Sequence, residues 1–341
     1  MSLLQDLLGK DFVCDQCGKR HVVKLLDVRF GAGALAEVPE LCQRYGGKRV
    51  GLIHDCRTRG IAGAKVAELL AKAGCQVAEL LVPDPAPDHV PVCDDLTHDA
   101  LAAKFPKADI YVAVGSGVIN DLTKWLAGDA QKPYISVATA ASMNGYASAN
   151  VAPTLKGVKS LVRGAEPVAI VSVPSLLAAA PAKMTAAGLG DVLAKPVSSA
   201  DWQLNRLVFD EYYCPFCAGT IDDIEPIYMD NPEAIGSGSE TGIGALFEAL
   251  ILTGISMTMA GTSSPASGGE HLVSHTLDMM SSVDGVPHDF HGRQVGVSTI
   301  LGAALYEELA ALENPVFKVP DSPSDPAFWG FLAPSVESYH E

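Results

Sequence analysis

The chain predicts a two-part fold, an α/β N-terminal domain followed by an all-α C-terminal domain. Three observations predict it. Short β-branched runs alternate with segments of helical apolar spacing through about residue 180. Beyond Pro181 that alternation stops, and long Ala-, Leu- and Met-rich segments replace it. With 341 residues, the chain is long for one core and natural for two. The expected division is 1–180 and 181–341.

In the first half, "RVGLIHD" (Arg49 to Asp55) reads as a strand. "IAGAKVAELLAKAG" (Ile61 to Gly74) is a helix ending in glycine, and "CQVAELLVP" (Cys75 to Pro83) is a second strand. "ADIYVAVGSG" (Ala108 to Gly117) is a buried strand entering a glycine turn. "VINDLTKWLA" (Val118 to Ala127) is a helix, and "PYISVATAAS" (Pro133 to Ser142) is another strand. Strands separated by helices predict a parallel sheet covered on both faces. In the second half, helices are expected over Thr185 to Leu207, Pro232 to Ala260, Gly269 to Ser282 and Gly292 to Leu312. The stretch from Pro315 to Glu341 is proline-rich and poorly periodic, and no element is predicted there.

Apolar residues make up 48% of the chain and charged residues 19%, so material for a core is ample. The formal net charge of −16 argues against a protein that coats nucleic acid or anionic lipid. It leaves room for a small anionic substrate in a local basic pocket. Apolar runs such as Pro167 to Ala182 are short and broken by proline, so no membrane insertion is expected. The N-terminus "MSLLQDLLGKDF" has neither a basic flank nor a cleavage site. A cytoplasmic protein is the expectation.

The eight cysteines include two CxxC pairs, Cys14–Cys17 and Cys214–Cys217, and His21 follows the first pair. Together the pairs could hold one structural zinc; separated by about 200 residues, they could equally be four ordinary thiols. Neither pair is read as following a strand and opening a helix, which argues against a thioredoxin-like role.

The turn Gly115-Ser116-Gly117 lies between a strand and a helix. Its glycines allow close backbone approach, and the helix N-terminus favours an anion. The third glycine of GxGxxG is absent, and Asn120-Asp121 follows. The pattern reads as a dinucleotide phosphate site or as a turn shaped only by geometry. Asp55, at the end of its strand, is placed to take ribose hydroxyls, and Arg57 beside it admits a 2′-phosphate. Asp121 joins the cofactor set.

His271 and His275 stand one helical turn apart, and His291 opens the next helix. Asp191 follows two glycines on an apolar helix, where an unpaired carboxylate is costly. Asp with two His suits zinc or another divalent transition metal with positions left open. The alternative is four satisfied core or surface residues.

Five segments, "VGSGVINDLTK", "TAASMNGYAS", "GLGDVLAK", "GGEHLVSH" and "HGRQVGVSTI", resemble in sequence and order the motifs of sn-glycerol-1-phosphate dehydrogenases. These belong to the iron-containing alcohol dehydrogenase and 3-dehydroquinate synthase superfamily, and the resemblance spans roughly residues 31–312. It implies a dehydroquinate synthase-like fold, with a dinucleotide-binding first domain and a metal- and substrate-binding second domain. It implies metal ligands at Asp191, His271 and His291, with zinc first and nickel or iron as alternatives. It places His275 toward substrate, the NAD or NADP pyrophosphate on Gly115, Ser116 and Gly117, and the nicotinamide side at Thr139 and Ser142. The implied activity interconverts dihydroxyacetone phosphate and sn-glycerol 1-phosphate, and the implied assembly is a homodimer or larger homo-oligomer.

Two departures stand out. The family's "SHDG" is Met143-Asn144-Gly145 here, so a carboxylate facing substrate becomes the amide of Asn144. Its "HGEQVG" carries Arg293 in place of glutamate. Both changes are expected to make the pocket less acidic. The tail after Leu312 is short for the family's last helices. Lys195, on the face of Asp191, is expected at the substrate phosphate or on the surface. The competing readings are another alcohol or polyol dehydrogenase, a 3-dehydroquinate synthase-like cyclase, and a non-catalytic metal- and nucleotide-binding sensor. The cyclase family normally has a glutamate at the Asp191 position and a basic and amide pair ahead of the first histidine; Ser264 and Gly268 stand there in this chain and count against it. The altered residues 144 and 293 speak for the sensor.

Overall fold

The computed structural model describes residues 3–314, 316 and 325–340. Pro315 and residues 317–324 of the proline-rich stretch lie outside them.

The chain opens with a small antiparallel hairpin, β1 (Asp11–Val13) and β2 (Arg20–Val22). Six strands then build one parallel sheet: β3 (Asp27–Phe30), β4 (Arg49–His54), β5 (Gln76–Leu81), β6 (Ile110–Gly115), β7 (Tyr134–Ala138) and, after four two-residue strands β8–β11 between residues 150 and 163, β12 (Ala169–Ser172). Their order is β3-β12-β7-β6-β4-β5, and every pairing is parallel. From β4 the chain crosses outward to β5, then returns to add β6 on the other side of β4. The order therefore reverses between β4 and β6. In an open parallel sheet the crevice beyond the carboxyl ends of such a pair is where a ligand fits. β6, β7 and β12 are buried along their whole length, as continuous apolar runs covered on both faces must be.

Helix α1 (Gly117–Asp129) follows β6 directly. The second half is helical: α2 (Ala182–Leu193), α3 (Lys195–Phe209), α4 (Glu240–Ala260), α5 (Gly269–Asp284) and α6 (His291–Ala310). The helix expected from Thr185 to Leu207 is two, broken at Ala194 ahead of Pro196, because proline suits a helix's first turn and not its interior. The expected Pro232–Ala260 helix is likewise a single turn, Pro232–Gly236, followed by α4, which Ser239 caps through the amide of Gly242.

Helix α4 corrects the reading of short, interrupted apolar runs. Its 21 residues are long and apolar enough to cross a membrane, yet 78% of its most apolar window is buried inside the protein. It is the central helix of the helical half. The hairpin, β3, β12 and the short helices Pro326–Trp329 and Ala333–His340 also escaped the sequence reading. The N-terminal segment joins the core shared with the helical half, where Leu4, Leu7, Cys14 and Leu25 pack with Trp202, Cys214, Ile221 and α4.

Candidate active site

Asp191, His271 and His291 come from three helices and meet, their nearest ligand atoms all within 4.8 Å of one another. Glycines make this convergence possible. A Cβ on Gly190 would lie 1.9 Å from the Gly292 carbonyl oxygen, and one on Gly292 would lie 2.0 Å from the Ala187 carbonyl oxygen. α2 and α6 thus touch backbone to backbone. A Cβ on Gly188 would lie 2.0 Å from the Ala141 carbonyl oxygen, so the same helix also seats on the loop after β7. Asp191 stands on the part of α2 fixed by both contacts.

Asp191 is 1% exposed. Its Oδ2 accepts the backbone N–H of Asn144 at 3.0 Å, and its Oδ1 has no hydrogen-bond partner among the described residues. Burial pushes the carboxyl up to about 6, against the opposing pull of the His271 charge and the Asn144 amide. Removing a carboxylate oxygen from water without a partner is costly, and a cation satisfies it. His271 faces Glu270 through Nδ1 at 2.8 Å, which leaves Nε2 for a ligand. Ser274 Oγ lies 3.0 Å from His291 Nδ1. Burial, with the charges of His271, His275 and Lys159, holds His291 well below the usual imidazole range, so it stays neutral with a lone pair to give. The three residues therefore fit a divalent metal with open positions. His275 is half-buried one turn from His271, its ring stacked over His291 at 5.5 Å, and burial with the neighbouring positive charges pushes it down to about 4.

At the sheet, Gly115 ends β6 and Gly117 begins α1, with no side chain capping the helix. Its first N–H groups and positive dipole end are free for an anion. The two glycines have different reasons to be glycine. A Cβ on Gly115 would strike Ile119 at 2.6 Å, so that position is fixed by strand-to-helix packing. A Cβ on Gly117 would meet nothing closer than Met143 Sδ at 4.0 Å, so open space lies over it. The residue after Met143 is Asn144, whose amide holds Asp191. The anion turn and the metal cluster thus share one short segment. Thr139 donates its N–H to the Gly115 carbonyl at 3.1 Å, which sets it beside the turn, and Ser142 three residues on is half-buried.

Other expected residues have different surroundings. Asp55 stands at the carboxyl end of β4 on the reversal crevice, but it caps the next helix. Oδ1 accepts from Thr58 N at 2.7 Å, and Arg57 Nε donates to Oδ2 at 3.2 Å. Neither oxygen is free of a protein donor, and Asp55-x-x-Thr58 was a readable capping box. Arg57 is further engaged by Asp84 through both terminal nitrogens. Asp121 pairs with Lys124 at 3.1 Å. Lys124, fully buried, donates to the Gly145 and Asn150 carbonyls and so braces the Asn144 segment. Lys195 is neither at an open pocket nor on the surface. It is 2% exposed, and its ammonium donates to the Cys217 and Pro265 carbonyls at 3.1 Å each. Arg293 is exposed and pairs with Asp289 at 2.8 Å, so its charge is answered outside the site and does not change the pocket's acidity as expected. Asn144 does lie in the site, 9% exposed, with Nδ2 unpartnered among the described residues.

The sequence reading missed Glu270 and Ser274, which orient the two imidazoles. An acid directly before the first histidine in "GGEH" was the available signal.

Residues 29–181 match the family model described as iron-containing alcohol dehydrogenase. Over 309 residues the chain is 31% identical to glycerol-1-phosphate dehydrogenase [NAD(P)+] of Halalkalibacterium halodurans, covering 90% of this chain and 77% of that one. It is 34% identical over 296 residues to the protein of the same name from Bacillus licheniformis, covering 86% and 74%. Among solved structures, glycerol dehydrogenase from Schizosaccharomyces pombe aligns with a TM-score of 0.68 at 18% identity, over 82% of this chain and 71% of that chain. With the ordered motifs, the reversed parallel sheet and the Asp-His-His cluster beside the glycine turn, these similarities establish that the chain belongs to the glycerol-1-phosphate dehydrogenase family of iron-containing alcohol dehydrogenases.

Proposed function

We propose that this chain interconverts dihydroxyacetone phosphate and sn-glycerol 1-phosphate with NAD or NADP and one divalent metal, zinc in first place. The observation that carries the reading is the unpartnered Asp191 Oδ1 beside His271 and His291, one short segment from the open face of Gly117. A metal held by those three side chains would supply Lewis acidity, and hydride transfer would be the chemistry of the bound nicotinamide. The chain's own groups set the stage. The bare N-terminus of α1 binds the pyrophosphate, and Thr139 and Ser142 wall the nicotinamide side. Glu270 and Ser274 fix the two imidazoles, and the free Nδ2–H of Asn144 is a donor for a substrate oxygen. His275, kept neutral by burial, is placed to hydrogen-bond the substrate hydroxyl and to relay its proton, outward in alcohol oxidation and inward in ketone reduction.

We place the domain division near residue 180, with the chain acting in the cytoplasm as a homodimer or larger homo-oligomer. Support for assembly comes from an exposed apolar row on α6, Val297, Ile300, Leu301 and Leu305. Reduction of dihydroxyacetone phosphate by purified enzyme, followed by chiral analysis, tests the function. The expected product is the sn-1 phosphate. The sn-3 phosphate, or no reduction with metal and cofactor bound, contradicts it. Binding without turnover would favour the sensor reading.

A further inference from the structure

The two CxxC pairs, 200 residues apart in sequence, are neighbours in the fold. Cys14 and Cys17 leave one tight turn of the β1–β2 hairpin, in which Gly18 N donates to the Cys14 carbonyl at 2.7 Å and Gly18 takes a φ of +70° that favours glycine. Cys214 caps the short helix Pro215–Ala218, so the second pair does open a helical turn, though no strand leads into it. The Cys217 carbonyl at the end of that turn is held by Lys195 Nζ and by Ser256 Oγ, the latter at 2.6 Å. His21, on β2, bonds the Met259 carbonyl at the end of α4 through Nδ1 at 2.8 Å. That contact turns Nε2 toward the sulfurs: 3.4 Å to Cys17, 3.5 Å to Cys214 and 3.8 Å to Cys217. Cys14 and Cys214 Sγ are 3.9 Å apart.

Three of these separations, Cys14–Cys214, Cys17–His21 and Cys214–His21, match the edges of a metal tetrahedron. Bonds of about 2.3 Å to sulfur and about 2.0 Å to nitrogen at tetrahedral angles place two thiolates about 3.8 Å apart and a thiolate about 3.5 Å from an imidazole nitrogen. The ligand atoms of Cys14, Cys17, His21 and Cys214 all lie within 4.8 Å of one another. A ligating histidine usually has its other ring nitrogen pinned to a carbonyl in this way. Charge agrees. Three thiolates around a divalent ion leave one net negative charge, and the buried Lys195 ammonium behind Cys217 carries the matching positive one. All four positions are filled by protein, so the site is structural and takes no substrate.

We propose that Cys14, Cys17, His21 and Cys214 bind one structural zinc ion, separate from the Asp191 cluster, with Cys217 as an adjoining thiol. The ion fastens the N-terminal hairpin to the helical half. A hairpin with three-residue strands does not hold by itself, and this clamp anchors it across the core.

Metal analysis of the full-length protein purified without chelator tests this directly. Wild type is expected to carry two ions per chain, His271→Ala one, and Cys14→Ser or Cys214→Ser one, while Cys217→Ser keeps both. The ion remaining in His271→Ala, exchanged for cobalt(II), should show an intense thiolate-to-metal charge-transfer band in the near ultraviolet. Because the cysteine variants could fail to fold, wild type is also titrated with a mercurial thiol reagent and released zinc is read with a chromogenic chelator. One equivalent is expected. A single ion in wild type and none in His271→Ala overturns the proposal. So does no zinc released by the mercurial, or a Cys14–Cys214 disulfide in protein isolated under non-reducing conditions.

Discussion

Replacing Gly190 by alanine tests how the helices build the Asp191 cluster. The added Cβ would sit 1.9 Å from the Gly292 carbonyl oxygen and 3.2 Å from Gly296 N, and a contact becomes ordinary only at 3.4 Å. The obstacle is backbone on the facing helix, so no side chain can swing aside. α2 and α6 would have to move apart by about 1.5 Å locally, or tilt. Overpacking of this kind costs about 1–3 kcal/mol, and a backbone obstacle belongs at the upper end. A metal site tolerates only about 0.2 Å in its ligand distances, so the displacement should also separate Asp191 from His291. We expect Gly190→Ala to lose about 3 kcal/mol in denaturant unfolding and to bind the catalytic metal at least ~10-fold more weakly. Gly236→Ala, with nothing within 4 Å of the new Cβ, is the control. It should stay within about 1 kcal/mol of wild type. A Gly190→Ala protein with wild-type stability and metal affinity would refute the argument that backbone contact between α2 and α6 positions the ligands.

Gly117→Val should weaken dinucleotide binding by a few kcal/mol in calorimetry with the fold retained, whereas Gly115→Val should unfold the domain, because its side chain meets Ile119 at 2.6 Å. Equal loss of binding by two folded variants would remove the distinction. Asp191's pKa is raised in the fold, so in the metal-free protein its protonation stabilises the folded state. That contribution is full below the unfolded value of 3.8 and is lost as pH rises through about 6. Metal affinity should run the opposite way and fall below about pH 6, as measured by competition with a chelator. A flat affinity from pH 7 to 5 would contradict it. Asn144→Asp restores a carboxylate 9% exposed beside the cluster. It should change the turnover rate moderately and leave dihydroxyacetone phosphate the preferred ketone. A switch of preferred ketone in steady-state assays would mean that Asn144 sets the substrate.

Four of the six sheet strands, β4 to β7, were legible because they alternate with helices that keep their period, whereas β3 and β12 were not. Gly115–Gly117 stood out for the same reason: a strand, a glycine turn and a helix occur in that order. Local spacing placed His271 and His275 on one helix, and Asp191 drew notice as an acid in an apolar run. What spacing could not give was three-dimensional adjacency. The meeting of Cys14 and Cys17 with Cys214 depends on a hairpin too short to show a period, docked on a helix 200 residues on. Lys195 was misplaced because a lysine reads as exposed or ligand-facing, and only packing reveals two carbonyls waiting for it. Asp55's capping of the next helix was also readable, from Thr58 three residues on, but was not weighed.

On the proposed function, the Asp191, His271 and His291 cluster serves reduction of a phosphorylated ketone at the mouth of the crevice between β4 and β6. The most direct measurement follows oxidation of NADH and NADPH with dihydroxyacetone phosphate, comparing wild type with His291→Ala after zinc is supplied to both. Wild type should turn over with one of the two nicotinamides. His291→Ala should still bind the dinucleotide but lose at least ~1000-fold in activity, as removal of a group acting on the developing charge does. Undiminished turnover in His291→Ala, or none in wild type with both metal and dinucleotide bound, would contradict the account.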